Sequence, residues 1–296
     1  MTFTGIVLVA ISCFTHSGWN LLAKRQAGQN DFFWWVLLAI TGGLAVPCVA
    51  GLGILAPPLR FWLLALGSGA CLSVYFASLA MSYRRGDLSI IYPVARSAPV
   101  FILAWTEIFL GVRHNAPGYA GLGLIVLGAV MLPLWTGTGW NRWLNPGNFW
   151  ALVTALATSG YSICDHAAMG IVRAASVSTP VLVGGAICYL WLQFSIGLVL
   201  LTALLWPTVC RPRAASLRTC GRDAVLVAAL NALTYTLVLL AMMTSKVTYV
   251  VAFRQFSIVL GVLMGITILG ERKGALSRLV GATIITSGLI MIALAR

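Results

Sequence analysis

Ten apolar stretches separated by short basic loops constrain this chain more than any other feature. The hydrocarbon core of a bilayer is about 30 Å thick and needs roughly 20 apolar residues per helix, which is the length of each stretch. A mean hydropathy of +0.96, with 60% hydrophobic and 8% charged residues, is typical of membrane proteins rather than soluble domains. The sequence therefore predicts an all-α integral membrane protein with ten transmembrane helices, at residues 3–23, 32–55, 61–83, 88–110, 117–135, 148–169, 179–205, 224–243, 247–270 and 276–295.

The net charge of +13 is scattered along the chain in ones and twos at the ends of the predicted spans. The densest basic loop holds only four arginines: Arg211, Arg213, Arg218 and Arg222. A nucleic-acid footprint would be one contiguous patch, so we expect the lipid bilayer, and no nucleic acid, as a partner.

The same charges predict an orientation. Loops after the odd-numbered spans carry 12 Lys and Arg residues, whereas the opposite side carries 5. Basic loops stay in the cytoplasm, which places both termini on the same side and favours the outside. The predicted location is the cell (inner) membrane, as a multi-pass protein.

Seven cysteines form no C-x-x-C pair and three histidines share no ligand spacing. A disulfide framework, a metal site and a cofactor are therefore not expected. The acidic residues are dispersed, without a nucleophile–base pair or clustered acids, which argues against an enzyme, including one that acts on lipid.

The chain repeats itself weakly. Ser17-Gly18-Trp19 recurs as Ser159-Gly160-Tyr161, Arg96 as Arg254, and Gly121 and Gly128 as Gly281 and Gly288, at offsets of 142, 158 and 160 residues. These matches predict two five-helix units, 1–137 and 148–296. Because five is odd, the second unit would cross the membrane the opposite way up, which makes the units inverted repeats.

Ionisable residues inside the predicted spans are the candidates for function, because a charged side chain at the bilayer centre costs roughly 2.5–3.5 kcal/mol. They are Arg96 and Glu107 in span four, Asp165 in span six and Arg254 in span nine. Asp165 or Glu107 could couple the protein to a proton or another ion. For Arg254 the structural alternative is an internal ion pair with Asp165.

Span four concentrates unusual chemistry around Arg96. Pro93 and Pro99 would leave backbone carbonyls free at membrane depth, which is tolerated where protein or water satisfies them. Tyr92 precedes Arg96 by four residues and shares its helix face. The pattern predicts a kinked helix that directs a phenol and a guanidinium inward. The alternative is a simple proline kink with Arg96 paired to a carboxylate.

Further candidate binding residues lie in the repeat-related spans: Gln255, which follows Arg254, and Trp19, Asn20 and Tyr161, which belong to or follow the repeated Ser-Gly pairs. His16 is interpreted as a hydrogen-bonded buried histidine. Gly261 and Gly265 form a G-x-x-x-G pattern that predicts close helix packing.

Together these residues resemble the drug/metabolite transporter superfamily, in its ten-span EamA-type branch. The similarity covers nearly the whole chain and is most specific from Gly86-Asp87-Leu88-Ser89 to Tyr92-Pro93-Val94-Ala95-Arg96, and from Phe253-Arg254-Gln255 to Leu269-Gly270-Glu271-Arg272. The resemblance implies alternating access around a central cavity lined by spans one, three, four, six, eight and nine. Two features depart from it: the first half has Gly111-Val112 where Gly-Glu is expected, and the family keeps its termini in the cytoplasm.

The expected function is a secondary transporter of a small anionic or zwitterionic polar metabolite, a class that includes amino-acid-like compounds, because Arg96 and Arg254 would bring two positive charges to one cavity. The main alternative is an exporter of cationic drugs that uses an intramembrane carboxylate. A membrane-embedded lipid enzyme and a non-transporting partner subunit are more remote. The sequence leaves the oligomeric state, the substrate identity and the direction of transport open.

Overall fold

The computed structural model describes residues 3–55, 57–110, 115–134, 145–175, 178–205, 212–244, 250 and 253–294. Within these ranges the chain is almost entirely helical and has no strand. The helices are α1 Phe3–Arg25, α2 Phe32–Leu55, α3 Leu59–Arg85, α4 Leu88–Ala95, α5 Ala98–Leu110, α6 Ala116–Leu134, α7 Pro146–Ala175, α8 Thr179–Leu205, α9 Ala214–Thr244, α10 Phe256–Ile268 and α11 Ala275–Leu294.

Four of these helices contain segments that are long and apolar enough to cross a membrane: Phe3–Arg25, Leu59–Arg85, Pro180–Ala203 and Ala275–Ile292. Shorter apolar helical segments accompany them. Their outward faces carry large hydrophobic side chains such as Phe14, Leu63 and Val199, which are 56%, 59% and 64% exposed. The all-α, membrane-like character predicted from the hydropathy is confirmed.

The predicted spans correspond to helices with a few differences. The helices of predicted spans two and seven, α2 and α8, have the predicted limits. α7 and α9 extend several residues beyond predicted spans six and eight, 148–169 and 224–243. Predicted span nine, 247–270, contains α10, while 247–249 and 251–252 lie outside the described residues. The prediction of one kinked helix over 88–110 was wrong, because α4 ends at Ala95 and α5 starts at Ala98.

The interruption between α4 and α5 falls at Arg96 and Ser97, after Pro93 and just before Pro99. Pro93 is accommodated inside α4, and the backbone N–H of Arg96 still donates to the Tyr92 carbonyl. The freed carbonyl of Pro93 accepts a hydrogen bond of 3.0 Å from Ser97 Oγ. Pro99 lies in the first turn of α5, where a missing N–H costs nothing. The chain thus changes direction at Arg96.

Helices pack across the two halves of the chain rather than within each half. The most extensive contacts are α3 with α7, α6 with α11, α1 with α9 and α2 with α8. α3 also packs on α8, and α2 on α9. The short helices α4 and α10 contact each other. α1 packs against α10, and α7 packs against both α4 and α5.

Glycines allow α6 and α11 to approach backbone to backbone. A Cβ placed on Gly121 would lie 2.7 Å from the Gly288 carbonyl oxygen, and one on Gly128 would lie 2.7 Å from that of Gly281. Close approach through glycine is how helices gain contact in lipid, where no hydrophobic force drives them together. The four repeated glycines therefore meet in two reciprocal pairs.

Candidate functional site

The two predicted intramembrane arginines lie at interruptions of helices. Arg96 follows the last residue of α4 and has φ −87° and ψ 0°. Arg254 precedes Gln255, the residue at the start of α10. The two guanidinium groups lie within electrostatic range of each other, and both act on His16 and Tyr161. The structure therefore brings Arg96, Arg254 and Tyr161 into one neighbourhood.

Several polar atoms around these arginines are buried without a hydrogen-bond partner. They are Tyr92 Oη, Arg96 Nε, Arg254 Nε, Gln255 Oε1 and Ser257 Oγ. We call these five residues the arginine site. Buried polar groups in proteins are almost always hydrogen-bonded, and an unmade bond costs about 1–3 kcal/mol. Five such atoms on α4, α10 and the residues beside them are available to a ligand or to water.

α4 and α10 approach closely at the arginine site because α10 presents a glycine. A Cβ on Gly261 would lie 2.5 Å from Tyr92 Cδ1 and Cε1, so the phenol ring lies directly on the α10 backbone. One turn later, a Cβ on Gly265 would lie 3.2 Å from the backbone nitrogen of Ser89. The G-x-x-x-G pattern at Gly261 and Gly265 thus accommodates α4.

α1 closes one side of the arginine site. Ser17 Oγ donates to the Ser257 carbonyl at 2.8 Å, and Cys13 Sγ lies 3.7 Å from the Arg254 carbonyl. The His16 ring lies 6.1 Å from the Tyr92 ring, centroid to centroid. His16 Nδ1 accepts from Trp19 Nε1 at 3.1 Å, which makes it the hydrogen-bonded buried histidine that the sequence indicated.

Trp19 and Asn20 have their polar groups occupied by protein. Trp19 is 1% exposed and its N–H binds His16. Asn20 Nδ2 donates to the His16 carbonyl at 2.7 Å, and its Oδ1 accepts from Tyr83 Oη at 2.6 Å. Both residues therefore hold His16 and α3 in place behind Tyr92. Tyr161 on α7 is partly buried, and its ring meets that of Tyr75 at 5.8 Å.

Asp165 lies on α7, apart from the arginine site. It is 8% exposed, and Oδ1 accepts hydrogen bonds from Ser68 Oγ at 2.6 Å and Tyr189 Oη at 3.0 Å. Gln193 Nε2 lies 3.4 Å from Oδ1. No ion pair joins Asp165 to Arg254 in the described part of the chain, so the structural alternative considered for Arg254 was wrong.

Glu107 lies on α5 with an exposed side chain, and its Oε1 accepts from Tyr119 Oη at 2.8 Å. This hydrogen bond links α5 to the exposed beginning of α6. Glu107 therefore differs from Asp165 in being exposed and bonded to an exposed tyrosine.

Sequence reasoning missed a buried ionic cluster. Arg278, one of the 12 basic residues counted in the loops after odd-numbered spans, is 1% exposed within α11. Its Nη2 donates to Asp87 Oδ2 at 2.7 Å, and its Nη1 donates to Ser89 Oγ and lies 3.5 Å from Glu271 Oε2. We call Asp87, Ser89, Glu271 and Arg278 the clasp. Its members lie within the stretches that carry the transporter resemblance or a few residues beyond, but nothing in their spacing identified Arg278 as buried.

The clasp fixes the beginning of α4. Glu271 Oε1 accepts the N–H of Leu88 at 2.8 Å, and Oε2 accepts that of Ser89 at 2.9 Å. These are free donors of the first helical turn, where a negative charge is also favoured by the helix dipole. Lys24 adds hydrogen bonds to the carbonyls of Tyr83 and Gly86.

The arginine site offers mainly hydrogen-bond donors, two of them on positively charged guanidinium groups. Guanidinium, phenol and hydroxyl groups donate hydrogen bonds, whereas Gln255 Oε1 requires a donor. Among the described residues no group of three or more His, Cys, Asp or Glu side chains is placed to hold a metal ion.

Comparisons with known proteins define the fold alone. No family model matches the chain, and no curated protein matches it. One of the similar solved structures, described as "Crystal structure of protein", aligns with a TM-score of 0.59 and 19% sequence identity. The alignment covers 100% of this chain and 98% of that one, so the helical fold is shared along the whole length.

Proposed function

We propose that this chain is a secondary transporter that moves a small anionic or zwitterionic metabolite across a membrane by alternating access. The ligand would bind at the arginine site, and the chain would span the cell membrane ten times as two inverted five-helix repeats. The observation that carries the proposal is the pair of neighbouring guanidinium groups of Arg96 and Arg254, each with a buried Nε that has no hydrogen-bond partner. Among the described residues no carboxylate forms an ion pair with either.

The location of these arginines supports a transport site. Transporter sites near the bilayer midplane are commonly built from discontinuous helices, whose exposed backbone is tolerated only beside a cavity. Arg96 lies between α4 and α5, and Arg254 lies one residue before the turn at Gln255. Two helix interruptions at repeat-related positions, each beside an arginine, match that construction.

Their electrostatics favour an anion. Two like charges in a low-dielectric region repel each other, and each one is costly to bury. Glu107 is exposed and Asp165 is hydrogen-bonded to Ser68 and Tyr189, so neither neutralises the pair. A carboxylate or phosphate of the ligand would supply the missing negative charge. A ligand ammonium group could donate to Gln255 Oε1, which would favour a zwitterion such as an amino acid.

The pattern of helix packing supports inverted repeats. If α1, α2, α3, α4–α5 and α6 correspond to α7, α8, α9, α10 and α11, exchanging the halves maps each of the extensive contacts onto another of them or onto itself. The contact of α3 with α7 becomes that of α9 with α1, and α3 with α8 becomes α9 with α2. α2 with α8, α4 with α10 and α6 with α11 map onto themselves. A two-fold relation between the halves produces such a pattern, and a chance arrangement of apolar helices does not.

Metabolite profiling tests the proposed function. Cells that express the intact chain would be compared with cells that express Arg96→Ala, Arg254→Ala or the matched control Arg272→Ala, whose arginine is exposed. We expect a small anion or zwitterion to be depleted or accumulated with the intact chain and the control, and unchanged with the other two variants. Normal transport by both Arg96→Ala and Arg254→Ala would contradict the site assignment.

The cationic-drug alternative predicts a different outcome in the same cells. An exporter of lipophilic cations needs an intramembrane carboxylate, so its activity would be lost with Asp165→Asn or Glu107→Gln and retained in the arginine variants. Growth in the presence of tetraphenylphosphonium measures this activity directly.

A further inference from the structure

Asp165 has an asymmetric hydrogen-bond arrangement that the arginine site does not explain. Oδ1 accepts from Ser68 Oγ at 2.6 Å and from Tyr189 Oη at 3.0 Å. Oδ2 has only Gln193 Nε2 at 3.5 Å. One carboxyl oxygen therefore receives both short hydrogen bonds while the other receives none. All of these partners are neutral, and a proton on Oδ2 would leave the two short hydrogen bonds to Oδ1 in place.

The surroundings of Asp165 disfavour a charge. The side chains that bind it are themselves buried, with Ser68, Tyr189 and Gln193 at 0%, 1% and 2% exposed. A carboxylate that is moved from water into a buried environment without a positive partner tends to bind a proton and become neutral.

The groups facing Asp165 bring no compensating charge. The titratable ones are Cys71 from α3, Tyr189 from α8, Tyr235 from α9, and Cys164 and Tyr161 from α7 itself. Cysteine and tyrosine are neutral at physiological pH. α4 and α5 also pack on α7, but no ion pair joins a side chain of either helix to Asp165 among the described residues.

We propose that Asp165 binds a proton on Oδ2 and that this proton couples transport to a proton gradient; the coupling rests on the proposed function, whereas the proton binding does not. On binding, an O–H bond forms at Oδ2 and the carboxylate loses its charge. Oδ1 becomes the carbonyl oxygen and keeps its hydrogen bonds from Ser68 and Tyr189. On release, the proton leaves to water that reaches Asp165 in another conformation.

Two tyrosines connect the proton site to the arginine site. Tyr161 and Tyr235 each lie within electrostatic range of both Asp165 and Arg254. A negative charge at Asp165 and a ligand anion at Arg254 would therefore act on the same aromatic groups from two directions. Charging Asp165 while an anion is bound is disfavoured, which makes the two events dependent on each other.

Infrared spectroscopy of the purified chain in lipid nanodiscs tests proton binding without any substrate. The C=O stretch of a protonated carboxyl group lies apart from carboxylate and amide bands. We expect this band at neutral pH, its loss at alkaline pH, and its absence from Asp165→Asn at neutral pH, where ordinary carboxyl groups are ionised. The matched control Glu107→Gln, which removes an exposed carboxyl group, should retain the band.

Tyr189→Phe keeps the Asp165 carboxyl group. It tests whether the infrared band belongs to Asp165 if Asp165→Asn does not fold. It removes one hydrogen bond from Oδ1, so the band should move to higher frequency without being lost. A wild-type spectrum without the band at neutral pH, a band retained in Asp165→Asn, or an unshifted band in Tyr189→Phe would each overturn the proposal.

The coupling is measured on whichever metabolite the profiling identifies. Its transport should depend on the pH of the medium in the intact chain and lose that dependence in Asp165→Asn; a retained dependence would overturn the coupling. A chain that shows the infrared band and transports no anion would bind a proton without being the proposed transporter, so the two failures are distinguishable.

Discussion

Arg278 Nη2 lies 2.7 Å from Asp87 Oδ2, an ion pair that joins α11 to the residue immediately before α4. The same guanidinium reaches Glu271, which in turn binds the first two N–H groups of α4. One end of this short helix is therefore tied to two other elements. Its other end is Arg96, whose Nε has no partner. We therefore expect opposite changes in stability when Arg278 and Arg96 are replaced.

Arg278→Met should lower the stability of the protein. Removing one member of a buried ion pair costs about 3–5 kcal/mol, and we expect about 3 kcal/mol because the Asp87 side chain is 41% exposed. The melting temperature of the purified chain in detergent measures the loss. The control is Arg272→Met, an exposed arginine six residues earlier, which should melt like the wild type. Equal melting temperatures for the two variants would show that the clasp contributes nothing.

Arg96→Met and Arg254→Met should each raise the stability of the protein. Each removes a buried donor without a partner and a repulsion between like charges, so we expect a gain in stability of about 1 kcal/mol. The proposed transport should be lost in both variants. Functional sites often retain features that destabilise the fold, and this combination of results would identify one. A fall in melting temperature comparable to that of Arg278→Met would instead indicate a structural role for these arginines.

Two buried tyrosines offer a similar comparison with smaller effects. Tyr83 Oη donates to Asn20 Oδ1 at 2.6 Å, whereas Tyr92 Oη lies near the hydroxyl groups of Ser17 and Ser257 without a hydrogen bond of normal geometry. Tyr83→Phe should therefore destabilise the protein by about 1 kcal/mol, and Tyr92→Phe should leave its stability unchanged or raised. Thermal melts of both variants measure this difference. If the two variants lost the same stability, the phenol of Tyr92 would have to be hydrogen-bonded in the folded protein.

Much of the fold was predictable from the sequence because hydrophobic length and helix length are directly related in a membrane protein. α2 and α8 have the predicted limits, and the repeated glycines of α6 and α11 meet as pairs. The break between α4 and α5 was harder to locate, because two prolines lay on either side of it. Pro93 fits inside α4, and the chain turns only at Arg96.

Of the buried or half-buried arginines, only those without an ion-pair partner in the described structure, Arg96 and Arg254, could be predicted from the sequence. An arginine in an apolar span is conspicuous, so Arg96 and Arg254 could be found without a structure. Arg278 could not, because a basic residue close to a predicted loop is ordinarily solvent-exposed. Its burial depends on Asp87 and Glu271, which are 191 and 7 residues away along the chain. Tertiary contacts of that kind leave no local pattern.

Gly121→Ala should destabilise the packing of α6 on α11. The added Cβ would lie 2.7 Å from the Gly288 carbonyl oxygen, a backbone atom that cannot move aside easily. Overpacking of this kind costs about 1–3 kcal/mol. Gly123→Ala is the matched control on the same helix, since a Cβ there meets nothing within 4 Å. It should be neutral or stabilising, because alanine favours helix more than glycine does. Identical melting temperatures would contradict the backbone contact between the two helices.

The orientation of the chain is tested by labelling one exposed residue on each side. The excess of basic residues in the loops after odd spans predicts that Gly28, between α1 and α2, faces the cytoplasm and that Ala116, at the start of α6, faces outside. Both positions are exposed, and a Cβ at Gly28 meets nothing within 4 Å.

In a background with the native cysteines replaced by alanine, a membrane-impermeant maleimide should label Ala116→Cys in intact cells. Gly28→Cys should be labelled only after permeabilisation. The opposite result would place both termini in the cytoplasm, as the resemblance to EamA-type transporters implies, and labelling of both positions in intact cells would contradict the predicted number of crossings between them.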